Sequence, residues 1–299
     1  MYISDFRYHR PETLDEAVRL LNDSPDGVLL AGGTDLLVDL KQGKRSYQDV
    51  ISLTRVEELG SIHIHGDVLV IGATVTHNQL IHSPLVREHC YAVSEAAESI
   101  ATEQIRNTAT VGGNLCTAAS CADTAPILIA LGSSLEMVGK AGRRTLPLAE
   151  FFVDHRTTAL GQGEVLSAIL VPITPPGMGA AYEKFGLRQA ANISVASVAV
   201  MVQVQDDHVV EARFVMGAVA PTPRVSARGY ATVKGQAVAE LLPASILIKQ
   251  VGEAVAADAE PIDDLRGSAE FRREITATLA QRALSTALDR AAGHGGVVR

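Results

Sequence analysis

Val28-Leu29-Leu30-Ala31-Gly32-Gly33-Thr34-Asp35-Leu36-Leu37 is a short apolar run that enters a Gly-Gly turn and leaves as a second apolar run. Thr110-Val111-Gly112-Gly113-Asn114 repeats the device later in the chain. Each turn joins two glycines to a small hydroxyl residue and a short polar side chain. Adjacent glycines let the backbone take φ > 0 and present N–H groups with no Cβ in the way. Successive N–H groups so arranged form an anion-binding nest. Two nests in one chain suit a ligand with a pyrophosphate and a second polar section, such as a dinucleotide. Neither turn has the spacing of the G-x-G-x-x-G fingerprint or of the P-loop.

Working outward, Thr13 and Glu16 stand at capping-box spacing, and Leu14, Ala17, Val18 and Leu21 follow at helical period. The spacing predicts a strand over Val28–Leu30 and a helix from Leu36 to Lys41. It predicts another strand over Asp49–Leu53 and a hairpin that turns at Gly66-Asp67. His82 to Ala97 and Ala125 to Leu131 read as helical. Pro172-Ile173-Thr174-Pro175-Pro176-Gly177 breaks regular structure and marks a boundary. Beyond it, Val198, Val200, Val202 and Val204 alternate up to Asp206-Asp207, and Val209–Val215 returns as a second hairpin. Two helical patterns, about 244–257 and 269–292, close the chain.

With 299 residues, 47% of them hydrophobic, the chain can bury a sizeable core. A net charge of −8 argues against nucleic acid or an anionic membrane as the main partner. The longest apolar stretch, Ala125 to Leu135, is too short to span a bilayer and is interrupted by Gly132, Ser133 and Ser134. The first ten residues are charged and lack the apolar segment of a secretory leader. Three cysteines, Cys90, Cys116 and Cys121, form a sparse, odd set that suits a reducing compartment. These features together predict a cytoplasmic protein. Cys116 and Cys121 can be read as a redox pair or as small apolar residues of a tight loop. The second reading is preferred, because an iron–sulfur cluster needs about four thiolates. His63, His65, His77, His82 and His89 lack carboxylate or cysteine partners at metal-ligand spacing, so no metal site is expected.

Four segments agree in order along the chain. They are the first glycine turn, Gln104–Leu115 with Ala122-Asp123 after it, Tyr182-Glu183-Lys184-Phe185, and Gly217-Ala218-Val219-Ala220-Pro221-Thr222-Pro223. In this order the chain resembles the FAD-binding medium subunit of the molybdenum hydroxylases, a family that includes xanthine dehydrogenase, carbon monoxide dehydrogenase and hydroxybenzoyl-CoA reductase. The resemblance runs from about Phe6 to about Leu284. It implies an α+β chain. A two-lobed FAD-binding domain of the PCMH/vanillyl-alcohol-oxidase-like type would occupy 1–175, with lobes of about 1–55 and 56–175. An α+β domain of the CO dehydrogenase flavoprotein type would occupy 176–299.

The resemblance also implies site residues. Leu29, Leu30, Ala31, Gly32, Gly33, Thr34, Asp35 and Leu36 would hold the pyrophosphate, with Asp35 bonding backbone N–H groups or capping the next helix. Thr110, Gly112, Gly113 and Asn114 would lie along the ribityl chain and pyrophosphate. Ile100 and Ala101 would line the flavin side, and Val165 and Leu166 the flavin or adenine edge. Asp123 would contact the ribityl or phosphate region, or else cap a helix. Lys184 would sit near the flavin pyrimidine and stabilise the reduced ring, or else be a surface lysine. Arg106 would reach a phosphate or, by preference, tie down its loop. Asn192 stands where relatives often carry an acidic residue, which leaves the electron acceptor open. The implied partners are a molybdenum-cofactor large subunit and a [2Fe–2S] small subunit, in a dimer of heterotrimers, with an external acceptor such as NAD. No catalytic acid or base is expected in this chain. The alternative is a self-contained FAD-dependent oxidoreductase of the same FAD-binding fold.

Overall fold

A computed structural model describes residues 3–188 and 190–293. Met1, Tyr2, Gln189 and 294–299 lie outside the described residues.

The first sheet is small and parallel. Its elements are β1 (Arg7–His9), α1 (Leu14–Asp23), β2 (Gly27–Leu30), α2 (Leu36–Lys41) and β3 (Asp49–Ser52), with strand order β1-β3-β2. The hydroxyl of Thr13 accepts from the Glu16 N–H at 3.2 Å, which supplies half of the expected capping box. The other half is altered, because the Glu16 carboxylate reaches the N–H of Glu12 at 3.1 Å. The apolar stripe of α1 packs Leu14, Ala17 and Val18 against Leu53, Val56 and Leu59, and also against Val138 and Val165 of the next sheet.

The second sheet opens with β4 (Ile62–His65) and β5 (Val68–Gly72), the predicted hairpin. A run of helices comes next: α3 (His77–His82), α4 (Pro84–His89), α5 (Tyr91–Glu98), α6 (Glu103–Arg106), α7 (Val111–Thr117) and α8 (Thr124–Ala130). Then come β6 (Ser134–Gly139), β7 (Gly142–Pro147), the small pair β8 (Phe152–Asp154) and β9 (Thr157–Thr158), and β10 (Val165–Pro172). The order is β4-β5-β10-β6-β7, so β10 returns to fill the centre of an antiparallel sheet. Its residues Val165 to Ile169 are buried, as a central strand covered on both faces requires.

After the proline-rich segment, β11 (Met178–Gly186), β12 (Ser194–Gln205), β13 (His208–Gly217) and β14 (Arg224–Val225) form an antiparallel meander. Asp206 and Asp207 both take positive φ, +48° and +59°, as a tight hairpin turn demands. Three helices follow: α9 (Ala227–Val233), α10 (Ile246–Ala256) and α11 (Ala269–Ala291). The alternation along β12 sorts its side chains. Val198, Val200 and Val202 face the helices, while Ala199 and Met201 join the core of the preceding half. The third sheet is thus shared between two cores. Arg290 on α11 adds a polar clasp, donating to the Glu95 carboxylate on α5 and to the Ala180 carbonyl at 2.7 Å. Among the described residues no helix is long and apolar enough to cross a membrane.

Candidate functional site

A cleft of about 740 Å³ opens between the first sheet and the second. Chain geometry creates it. The end of β2 delivers Ala31–Asp35 to one wall, and β10 delivers Val165 and Leu166 to another. The start of α7 delivers Thr110, Gly112, Gly113 and Asn114, and the α5–α6 connection delivers Ile100 and Ala101.

The first glycine turn has the properties of an anion cradle. Gly33 takes φ +72°, which a side chain would strain. Gly32 is needed for a different reason, since a Cβ there would overlap the Thr108 carbonyl and press on Ala109. The turn therefore packs backbone against backbone on the chain that leads into α7. Among the described residues, the N–H groups of Gly32, Gly33 and Thr34 donate to no protein acceptor. Three adjacent unspent donors at the wall of a cleft fit an anion such as a pyrophosphate. Asp35 is exposed and precedes α2, but its side chain makes no capping bond, so the expected capping role is not formed.

The second glycine segment corrects the expectation of a second nest. It is the first turn of α7, capped by Thr110, whose hydroxyl accepts from the Gly113 N–H at 3.1 Å. The Val111 N–H goes to Val75 O at 2.9 Å and the Gly112 N–H to Ala73 O at 3.0 Å. Gly112 and Gly113 do not take positive φ, and their N–H groups are spent inside the protein. Gly112 is required by close approach, because a Cβ would lie 2.5 Å from Ala73 O. What this segment offers a ligand is side chains. Asn114 accepts from Thr124 at 2.7 Å through its Oδ1, which leaves its amide NH₂ as an unspent donor.

Asp123 and Lys184 do not line the cleft. They form a buried pair behind its wall, at 2.8 Å, with side chains 8% and 7% exposed. Asp123 makes no helix-capping bond. Its other oxygen accepts from Tyr182 at 2.7 Å and from Ser194. Burial first, and Asp123 second, push the Tyr182 phenol well above its ordinary range, so it stays a donor. Lys184 also donates to Ser99 O at 2.9 Å and to Asn192 O at 3.4 Å. It is neither a surface lysine nor a cation open to the cleft.

Three consecutive carbonyls are tied in this way. Ser99 O accepts from Lys184, Ile100 O from Arg106 at 2.8 Å, and Ala101 O from the Ala191 N–H at 3.1 Å. Ala101 sits at φ +43°, a strained position for a residue with a Cβ. The three ties hold that strain and set the Ile100–Ala101 wall. Arg106 thus takes the loop role, with a further bond to Asn78 at 3.4 Å.

Sequence reasoning missed several lining residues. Arg45 and Arg156 reach the cleft beside Asp39, at 3.9 and 3.7 Å from its carboxylate. Lys44 stands at 3.9 Å from the same group, so this end of the cleft carries a cationic surplus. His77 lines the floor, 1% exposed, with neither ring nitrogen bonded among the described residues. Burial first, and Arg106 second, lower its imidazole to about 4. Gly161-Gln162-Gly163 also lines the cleft, and its paired glycines are a signal that could have found it. Burial pushes the Cys116 thiol, another lining group, up to about 12. Among the described residues no group of three His, Cys, Asp or Glu side chains is arranged to hold a metal ion.

Comparison with known proteins gives this geometry a context. The profile described as the FAD binding domain in molybdopterin dehydrogenase matches residues 4–174. The CO dehydrogenase flavoprotein C-terminal domain matches residues 180–287. The chain belongs to the FAD-binding medium subunits of the molybdenum hydroxylases. Within this family it is 33% identical over 289 residues to the xanthine dehydrogenase FAD-binding subunit of Escherichia coli O157:H7, covering 96% of this chain and 97% of that one. It is 34% identical over 288 residues to the carbon monoxide dehydrogenase medium chain of Hydrogenophaga pseudoflava, covering 96% and 98%. The fold superposes with a TM-score of 0.91 on a chain of the carbon monoxide dehydrogenase from that organism which lacks the Mo-pyranopterin moiety, at 33% identity over 97% and 99% of the two chains. Quinoline 2-oxidoreductase from Pseudomonas putida 86 gives a TM-score of 0.90 at 26% identity, over 98% and 99%.

Proposed function

We propose that this medium subunit carries FAD in the cleft between its first two sheets and relays electrons within a larger dehydrogenase. The observation that supports this most is the set of three unspent N–H groups at Gly32, Gly33 and Thr34, on the wall of a cleft of about 740 Å³. They would hold the pyrophosphate, with Arg45 and Arg156 adding favourable charge. Leu29, Leu30, Ala31, Asp35 and Leu36 complete that wall. Thr110, Gly112, Gly113 and Asn114 would border the ribityl section, and Ile100, Ala101, Val165 and Leu166 the ring. Asp123 and Lys184 support the wall from behind. Apolar lining side chains such as Leu29, Ile100 and Leu166 would help exclude water from the bound ring. FAD, when bound, accepts electrons singly and releases them in pairs.

The donor in this reading is a [2Fe–2S] small subunit, fed by a molybdenum-cofactor large subunit, in a dimer of heterotrimers. The acceptor is external, with NAD as the first to test. The cytoplasm is the compartment proposed, on the strength of three free cysteines. We assign the FAD-binding half to 1–175, in lobes of about 1–55 and 56–175, and the second half to 176–299. Purification of the tagged chain from its native host tests the reading. Acid precipitation should release non-covalent FAD, and both partner subunits should co-purify. A flavin-free chain, or one that turns over a substrate alone, would overturn it.

A further inference from the structure

Lys44, Arg45 and Arg156 converge on Asp39 from two parts of the fold. Asp39 stands on α2, and Lys44 and Arg45 follow the end of that helix. Arg156 comes from the turn between β8 and β9, in the second-sheet half. That turn is held, since Arg156 takes φ +55° and its N–H bonds Ala118 O at 2.9 Å. The three cations lie 3.7 to 3.9 Å from the carboxylate, too far for hydrogen bonds. The Asp39 side chain is 14% exposed, whereas Arg45 and Arg156 are 50% and 43% exposed, so the carboxylate gathers the cations from beneath. Arg45 bonds the Tyr47 hydroxyl at 3.5 Å, and the Arg156 guanidinium donates to no acceptor among the described residues. Two nearly unspent guanidinium forks thus line one cleft. Such forks match phosphate oxygens in bidentate fashion. Three cations against Asp39 leave a surplus of positive charge even when Asp35, one turn earlier, is counted. In a chain of net charge −8, this spot draws anions in.

We propose that Arg45 and Arg156, with Lys44 beside them, bind the phosphate groups of a nucleotide electron acceptor at the mouth of the FAD-loaded cleft. The cradle of Gly32–Thr34 precedes α2, and it offers three backbone N–H groups to the pyrophosphate of FAD. The cluster sits at the later half of α2, where Asp39 is the fourth of six residues. Its guanidinium donors are therefore open to a second anionic ligand. A nucleotide suits them better than an acidic protein surface, because Arg45 and Arg156 line a cleft that a small molecule can enter. The inference rests on the FAD reading given above, and gives its external acceptor a chemical class and a set of binding residues.

The FAD-loaded full-length chain, in wild-type and variant forms, is titrated by calorimetry with inorganic pyrophosphate and separately with ADP-ribose. ADP-ribose carries the phosphates of a nicotinamide dinucleotide and takes no electrons. Wild type should bind both, less tightly as salt rises. Arg45→Gln and Arg156→Gln should each weaken ADP-ribose roughly tenfold or more, and Lys44→Gln less, since it lacks a fork. FAD affinity of the same variants should fall by less than about threefold, because the arginines act on its pyrophosphate only through their field. Wild type that binds neither probe would overturn the site. Pyrophosphate binding without ADP-ribose binding would overturn the nucleotide assignment. Variants that lose FAD more than ADP-ribose would show that the cluster serves the cofactor's own pyrophosphate, which also overturns the proposal. A wild-type chain that takes up no FAD would instead overturn the parent reading.

Discussion

Replacing Lys184 with Met tests how the cleft wall is held. The substitution removes a cation that lies 2.8 Å from Asp123, with both side chains more than nine-tenths buried. Breaking a buried ion pair from one side costs about 3–5 kcal/mol, because the remaining charge stays buried. Tyr182 and Ser194 still donate to Asp123, so the lower figure applies. At ~2–4 °C of melting temperature per kcal/mol, a loss near 3 kcal/mol lowers the midpoint by roughly 6–12 °C. Removing the charge as well, in Lys184→Met with Asp123→Asn, should restore part of this, since the amide oxygen keeps an acceptor for Tyr182. A double-mutant cycle on urea unfolding of the flavin-free chain reads the coupling, expected at about 1–3 kcal/mol.

The same variant should hold FAD less well. Lys184 also fixes Ser99 O, and without it the strained backbone at Ala101 loses one of three ties. The direct role expected from sequence makes a contrary forecast. A cation acting on the flavin pyrimidine would shift the reduction potential by ~30 mV per 1.4 kcal/mol, with stability and flavin content intact. A variant that melts within ~2 °C of wild type, or a cycle that is additive within ~0.5 kcal/mol, would refute the clasp.

Gly32→Ala should cost more flavin than Gly113→Ala, because the new Cβ at 32 meets the Thr108 backbone whereas at 113 it meets only the hydroxyl of Thr110, at 2.8 Å; FAD released by acid from each purified variant measures this. Flavin-free wild type should lose stability as pH falls. The folded His77 imidazole titrates at about 4 against an unfolded value of ~6.5, so only the unfolded chain takes up this proton between them; denaturation midpoints should imply a loss of about 3 kcal/mol from this group over that interval and none above it, and His77→Leu should remove that component. Arg290→Ala should loosen α11 from α5 by breaking the bonds to Glu95 and Ala180, visible as faster amide exchange along α11 at unchanged FAD affinity.

Much of the fold was legible because its signals are local. The Thr13 cap, the Asp206-Asp207 turn and the valine alternation of β12 each act within a few residues, and each formed. The insertion of β10 between β5 and β6 was not legible. Its run Val165–Val171 is apolar apart from Ser167, and such a run names no neighbour. The two-faced burial of the third sheet was hidden for a related reason. Val198, Val200 and Val202 announce one apolar face, but Ala199 and Met201 opposite them are small or adaptable and do not read as a second core.

The site divides along the same physical line. Segments that bring their own backbone to the cleft, such as Ala31–Asp35, are contiguous in sequence and could be read. Groups that act through another residue's carbonyl could not, since Ser99 O, Ile100 O and Ala101 O carry no residue-type signature. The glycines show how far letters alone reach. Two Gly-Gly pairs looked like two nests, yet Gly33 serves a positive φ, Gly32 and Gly112 serve close backbone approach, and Gly113 starts a capped helix. The first pair leaves its N–H groups unspent and the second spends them on Ala73 and Thr110. Between the two turns, anion binding therefore concentrates on the first, and the second segment offers a ligand side chains, where Asn114 stands.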